Sequence, residues 1–227
     1  MLFTGFSPEA QSFLQSVERN NNRVWFEAHR ADYEKLILTP LRKLVMDLSP
    51  VMHDIDPELE LRPVVNKTIS RIYRDTRFSS DKTLLRSNMW INFKRPQKEW
   101  HDIPSWWFEI TPVQFTYGMG FYQASPATLR QFRDRINSKV SLFREVIAFY
   151  PGDPPFRLEG SLYKRRIASG LPEDIQDWYQ RKNMYLICRC EPDKLFFSEA
   201  LVAHLGRRFT ELAPLYHYWM ESSLLKS

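Results

Sequence analysis

Residues 71–82, RIYRDTRFSSDK, carry Arg71, Arg74, Arg77 and Lys82, with Asp75 among the arginines and Asp81 beside the lysine. A guanidinium group presents a planar fork of donors that fits phosphate or carboxylate oxygens two at a time. A carboxylate spaced as Asp75 is can accept a bidentate bond from Arg71 or Arg77 and hold that fork in place. Neighbouring positive charge lowers a carboxyl pKa, so Asp75 is expected to stay ionised. A depressed carboxylate is a poor base near neutral pH, so Asp75 reads as an organiser of arginines and not as a proton acceptor. The chemistry that suits this stretch is the holding of an anion. Lys82 follows a Ser-Ser-Asp turn whose amides and hydroxyls can add donors. The plainer alternative is a salt-bridged strand with a solvated turn, where exposed ion pairs contribute only ~0–1 kcal/mol.

Other stretches are weaker candidates. Lys164, Arg165 and Arg166 form a second basic run, which is either a solvated loop or a further part of the same anion site. Asn20, Asn21, Asn22 and Arg23 read as a turn and helix cap, or as polar groups at the mouth of a cleft. Cys188 and Cys190 flank Arg189 in a strand-like run, which puts both thiols on one face as core residues. Five scattered histidines offer no His-x-x-x-His pair, and no set of ligands has the spacing of a metal site. Gly-x-Ser-x-Gly and phosphate-loop motifs are absent, and "YGMGFY" is two glycines in a strand rather than a dinucleotide fingerprint. The residues name no cofactor and no reaction.

The elements that must position these groups follow from apolar spacing. Ser7-Pro8 reads as a helix start, running to about Glu18. A helical pattern resumes at Arg23 with Phe26, Tyr33, Leu36 and Ile37, and Thr39-Pro40 should open a new helix carrying Leu41, Val45, Leu48 and Met52. Residues 64–78, rich in β-branched and aromatic side chains, read as a strand, as do 87–94, 105–111, 113–123 and 184–190. On the 71–77 strand, alternation puts Arg71, Tyr73, Asp75 and Arg77 on one face, partly buried. Arg74 falls on the other with Ile72, Thr76 and Phe78, paired to an acid. If that pair is buried, breaking it would cost ~3–5 kcal/mol. In 105–111, Trp106, Phe108 and Ile110 share one face and Trp107, Glu109 and Thr111 the other. Helices are expected from Ser125-Pro126, over Phe143–Tyr150, near 174–182 and from about Ser198, where Pro214 should bend or end the last one. Period-two strands with a polar face point to antiparallel pairing. The expected fold is α+β, a central antiparallel sheet flanked by N-terminal and C-terminal helices, in a single domain over 1–227. "PGDPP", 151–155, is a break but not a domain boundary.

Composition narrows the function classes. The net charge of +5 is mild, but residues 61–100 hold ten Lys and Arg against three acids, so the rest of the chain is slightly acidic. A segment so charged attracts anions if it folds into one surface. Seven glycines argue against a dinucleotide fold. No apolar run approaches the ~20 residues of a membrane span, and the N-terminus lacks the pattern of a signal peptide. Two closely spaced cysteines cannot build a disulfide framework, so the cytoplasm is the expected compartment. Three readings stay open: binding or processing of a phosphorylated or other anionic small molecule; single-stranded nucleic-acid binding, with Tyr73, Phe78, Trp90 and Phe93 as stacking rings; and a structural or interaction protein in which the charged motif is architecture. The first is the leading reading, with Arg71, Arg74, Asp75, Arg77, Lys82, Lys164 and Arg165 as ligand-binding residues.

At RIYRDTRFSSDK the chain resembles a conserved, mostly bacterial family catalogued as a domain of unknown function. That family's signature is Arg-x-x-Arg-Asp-x-Arg-Phe followed by a lysine, matched here by Arg71, Arg74, Asp75, Arg77, Phe78 and Lys82. Asn21, Trp25, Phe26, Tyr33 and Pro40 match its N-terminal pattern, and Lys164, Arg165, Gly170 and Pro172 match a looser basic motif. The family usually has an aromatic three residues after the lysine, where this chain has Leu85. The resemblance implies no activity.

Overall fold

The computed structural model describes residues 2–77, 80–150, 155–167 and 170–224. Phe78 and Ser79, and most of the 151–155 break, lie outside the described residues. Helix α1 (Pro8–Arg19) starts behind Ser7 with Pro8 in its first turn and buries Phe13, Leu14 and Val17. Helix α2 (Arg23–Ala28) is capped by the Asn22 side chain, which accepts from the Trp25 N–H at 2.9 Å. Helix α3 (Arg30–Tyr33) leads into a π-helical turn, Glu34–Leu38, and then α4 (Thr39–Ile55). The expected break at Pro40 is absent. The residue before α4, Leu38, is itself helical, and the Thr39 N–H reaches back to the Glu34 carbonyl. A proline inside a regular α-helix clashes with the carbonyl four residues earlier, and the wider π turn accommodates Pro40 without interrupting the rod.

The strands are β1 (Met89–Phe93), β2 (Pro104–Ile110), β3 (Phe115–Phe121), β4 (Arg157–Glu159) and β5 (Tyr185–Cys190). They form one antiparallel sheet in the order β1-β2-β3-β5-β4. Helices α5 (Pro126–Ser138), α6 (Val140–Val146), α7 (Glu173–Tyr179) and α8 (Ala200–Leu224) complete the chain, which is α+β with helices flanking the sheet. In β2 the expected alternation holds: Trp106, Phe108 and Ile110 are buried, while Trp107 and Glu109 are half-buried. In β3 the expected polar face is not exposed, since all seven positions are buried. Gly120 shows why one glycine sits there: a Cβ would meet the Tyr185 Cβ on β5. Helix α8 continues through Pro214, so of the two expected outcomes, a bend or an end, the end does not occur. Leu212, Leu215, Tyr216 and Trp219 are fully buried on both sides of it, which outweighs the ~3 kcal/mol that an internal proline costs. No described helix is long and apolar enough to cross a membrane.

The chain groups into two compact units. The first holds Met1–Phe93, Trp107–Tyr117 and Arg189–Arg207; the second holds Lys94–Trp106, Gly118–Cys188 and Arg208–Ser227. The core of the first is aromatic: Phe6 stacks on Phe196 at 4.9 Å and on Phe108 at 5.8 Å, and Phe115 stacks on Phe196 at 5.0 Å. The second packs Trp106 against Phe209 and Tyr216, and Phe143 edge-on to Trp178. Such pairs add ~0.5–1.5 kcal/mol each beyond area burial.

Gly160 follows β4 with φ +119°, and a Cβ there would run into the Asn183 carbonyl. Left-handed backbone at a non-glycine residue costs ~1–3 kcal/mol. Gly160→Ala is therefore expected to lower the unfolding free energy by at least that much in urea melts. An unchanged midpoint would show that the turn relaxes.

Candidate functional site

The motif does not form the regular strand expected over 64–78. Asn66 adopts φ 67° in a tight turn, and the segment beyond it meets 84–92 through single bridges, Ile69 to Ile91 and Tyr73 to Leu85. Four backbone bonds nonetheless lace the two together: Asn92 N–H to Thr68, Ser70 N–H to Trp90, Arg86 N–H to Ile72 and Arg74 N–H to Leu84. The result is an irregular antiparallel arm. The spacing of its bridges shifts by two residues between them, which breaks the ladder that a strand reading assumes. Asn21 anchors this arm: its carboxamide donates to the Leu85 carbonyl at 2.9 Å and accepts from the Leu85 N–H at 2.8 Å. The Leu85 side chain is buried.

On the arm, Asp75 accepts a two-pronged bond from Arg77, Nε at 3.0 Å and Nη2 at 2.8 Å, and lies 3.5 Å from Arg71 Nη2. The expected hydrogen-bond reach of Asp75 to at least one of these arginines is thus present, at Arg77. Their expected partial burial is not: the Arg71 and Arg77 side chains are 48% and 77% exposed. Among the described residues of the stretch, Ile72 is buried, Tyr73, Arg74, Asp75 and Thr76 are half-buried, and Arg77, Ser80, Asp81 and Lys82 are exposed. Arg74 is the least exposed of the three arginines at 23% and pairs with Asp81 at 3.2 Å. Asp81 is itself 46% exposed, so this pair is not the buried one that would carry a large cost. Lys82 Nζ donates to the Thr76 carbonyl at 2.8 Å.

A residue that spacing did not single out completes the cluster. Arg86 lies over the Trp90 ring at 4.9 Å from its centroid. Burial lowers its pKa, and the charges of Arg74 and Arg71 lower it further, against the pull of Asp75 and Glu109. The Nε groups of Arg74 and Arg86 are both buried without a hydrogen-bond partner. The only sequence signal for Arg86 was its membership of the basic segment. Chemically, the cluster gathers five cations, Arg71, Arg74, Arg77, Lys82 and Arg86, around two paired carboxylates. The rings expected to stack are mostly engaged: Phe93 is fully buried, and Tyr73 donates to Glu27 and packs edge-on to Phe26.

Lys164, Arg165 and Arg166 belong to the second unit and are exposed. Their loop is shaped by Gln180, whose amide donates to the Tyr163 and Arg165 carbonyls at 3.0 and 2.8 Å and accepts from the Ile167 N–H at 2.8 Å. Cys188 and Cys190 are free thiols, the first buried and the second half-buried. Among the described residues, no group of three or more His, Cys, Asp or Glu side chains could hold a metal ion.

Asp75 is held below the ordinary aspartate range, first by the Arg77 side-chain bond, then by the Arg77 N–H and the nearby charges. A group depressed on folding adds stability that is present above its unfolded pKa and is lost as pH falls through the folded one. The Asp75 carboxyl carbon should therefore titrate by NMR well below an ordinary aspartate, and Arg77→Ala should move that midpoint up. Stability should separate the arginines. Arg74→Ala should lower the urea midpoint more than Arg77→Ala at equal m-value, since Arg77 extends into solvent. Equal midpoints would put the two on the same footing.

No curated protein matches the chain. A family model, described as a conserved hypothetical protein family (DUF2461), matches residues 9–218. That span includes α1 through most of α8, the arginine-bearing arm and the Gln180-shaped loop, so the chain belongs to the DUF2461 family.

Proposed function

We propose that this protein binds a phosphorylated or otherwise anionic small molecule on the arm 71–86. The observation that carries this reading is that Arg74 and Arg86 sit on segments bonded to each other, Arg74 N–H to Leu84 and Arg86 N–H to Ile72, with the Nε of each buried and unpartnered. Like charges so placed oppose folding, and a bound anion offsets that repulsion. Asp75 keeps its role as organiser, holding Arg77 in a fixed plane beside Arg71.

A ligand that binds only the native state raises the melting temperature, by about 2.7 kcal/mol of stability at a hundredfold excess over Kd. Phosphate, sulfate and a panel of phosphorylated metabolites are expected to shift the wild type saturably, and Arg74→Ala and Arg86→Gln to remove most of that shift. A flat response across the panel would leave the motif as architecture. A shift confined to oligonucleotides, falling steeply with salt, would make the protein a nucleic-acid binder.

A further inference from the structure

Arg86 lies two residues before Asn88 on the segment that enters β1, and the groups beside it exceed what a bare anion requires. In β1 and β2, Met89, Ile91, Phe93, Phe108 and Ile110 take the buried face. The opposite side chains include Asn88 just before β1, Trp90, and Glu109 on β2. Glu109 accepts from the Asn88 amide at 2.5 Å and from the Thr116 hydroxyl at 3.5 Å. Arg86 is close enough that the Glu109 charge favours its cation. The two nevertheless form no ion pair: Arg86 is seated on Trp90, and Glu109 is held by Asn88 and Thr116.

This arrangement is informative because the simpler one is chemically available. An arginine and a carboxylate meant to neutralise each other meet in a two-pronged bond, as Arg77 and Asp75 do here. Each of Arg86 and Glu109 is instead oriented by a neutral neighbour. A fixed carboxylate beside an anion site repels a bare phosphate. It is useful where the ligand brings a donor to that position. An ionised carboxylate has about four acceptor directions, and Asn88 and Thr116 use two of them.

We propose that the ligand is a phosphomonoester whose alcohol portion carries hydroxyl or ammonium donors, with its phosphate on Arg71, Arg74 and Arg86 and a donor group on Glu109. This rests on the anion-binding reading above and adds the second pole of the ligand. Glu109 acts in it as a binding residue and not as a base.

The test compares four ligands by calorimetry on the full chain: inorganic phosphate, methyl phosphate, glucose 6-phosphate and phosphoethanolamine. The donor-bearing pair should bind the wild type about tenfold or more tighter than methyl phosphate, the scale of one hydrogen bond to a charged group. Glu109→Gln, which keeps an acceptor for Asn88 and Thr116, should cancel that advantage while leaving methyl phosphate as tight or tighter. Preference for the sugar ester or for the amine identifies the donor. Equal binding of methyl phosphate and the donor-bearing esters, or an equal loss of all four in Glu109→Gln, would overturn the second pole and leave the anion site standing. Binding of none of the four would overturn both. Asn88→Ala, which frees Glu109 without changing the charge, should blunt the preference less than Glu109→Gln does; a larger effect would mean that Glu109 only supports the sheet.

Discussion

The placement of the arginines depends on one pair of hydrogen bonds, from the Asn21 carboxamide to the two main-chain groups of Leu85. A carboxamide offers a donor and an acceptor side by side, the same pair that a neighbouring strand would offer. It ties the arm to the turn between α1 and α2, 64 residues away in sequence. With Leu85 fixed, its side chain fills the core and its bridge to Tyr73 sets the pairing of the two segments. The bonds from Arg74 to Leu84 and from Arg86 to Ile72 then bring two guanidinium-bearing residues onto adjacent positions. The irregular bridging matters for the same reason. A regular ladder would have carried the twist smoothly onward, whereas beyond the broken one Lys82 donates to the Thr76 carbonyl.

The electrostatic balance of the arm is uneven. Asp75 serves two arginines at once and Asp81 serves Arg74, yet Arg86 is left to an aromatic face and to longer-range charges. A cation over a tryptophan gains ~0.5–2 kcal/mol, enough to seat it but not to neutralise it.

Much of this was legible in the sequence where a local rule had no competitor. Trp106, Phe108 and Ile110 declared the buried face of β2 through period two alone, and Ser125-Pro126 declared the start of α5. The spacing of Asp75 among arginines announced a held guanidinium. What escaped were features decided by contacts distant in the chain. β3 looked half-polar because Thr116 and two glycines alternate with rings, but it is covered on both faces. Pro40 and Pro214 looked like breaks because the π turn and the buried rings of α8 that absorb them leave no local mark. Residues 64–78 had the composition of a strand, and only the pairing with 84–92 shows where the ladder fails. Glu109 read as one polar position among several, since its hydrogen bonds to Asn88 and Thr116 span three different segments.

The loop around Lys164, Arg165 and Arg166 takes its shape from elsewhere. Every bond that Gln180 makes to it ends on backbone, at the Tyr163 and Arg165 carbonyls and the Ile167 amide. Form and charge are thereby written in separate places: the conformation is stored in a side chain 13 residues beyond Ile167, and the loop's own side chains are spared from specifying it. Residues 164–166 are consequently free to drift among charges, sizes and signs without the loop losing its outline, while Gln180 has almost no room to change. Such a division lets the loop's charge change by substitutions confined to its outermost atoms.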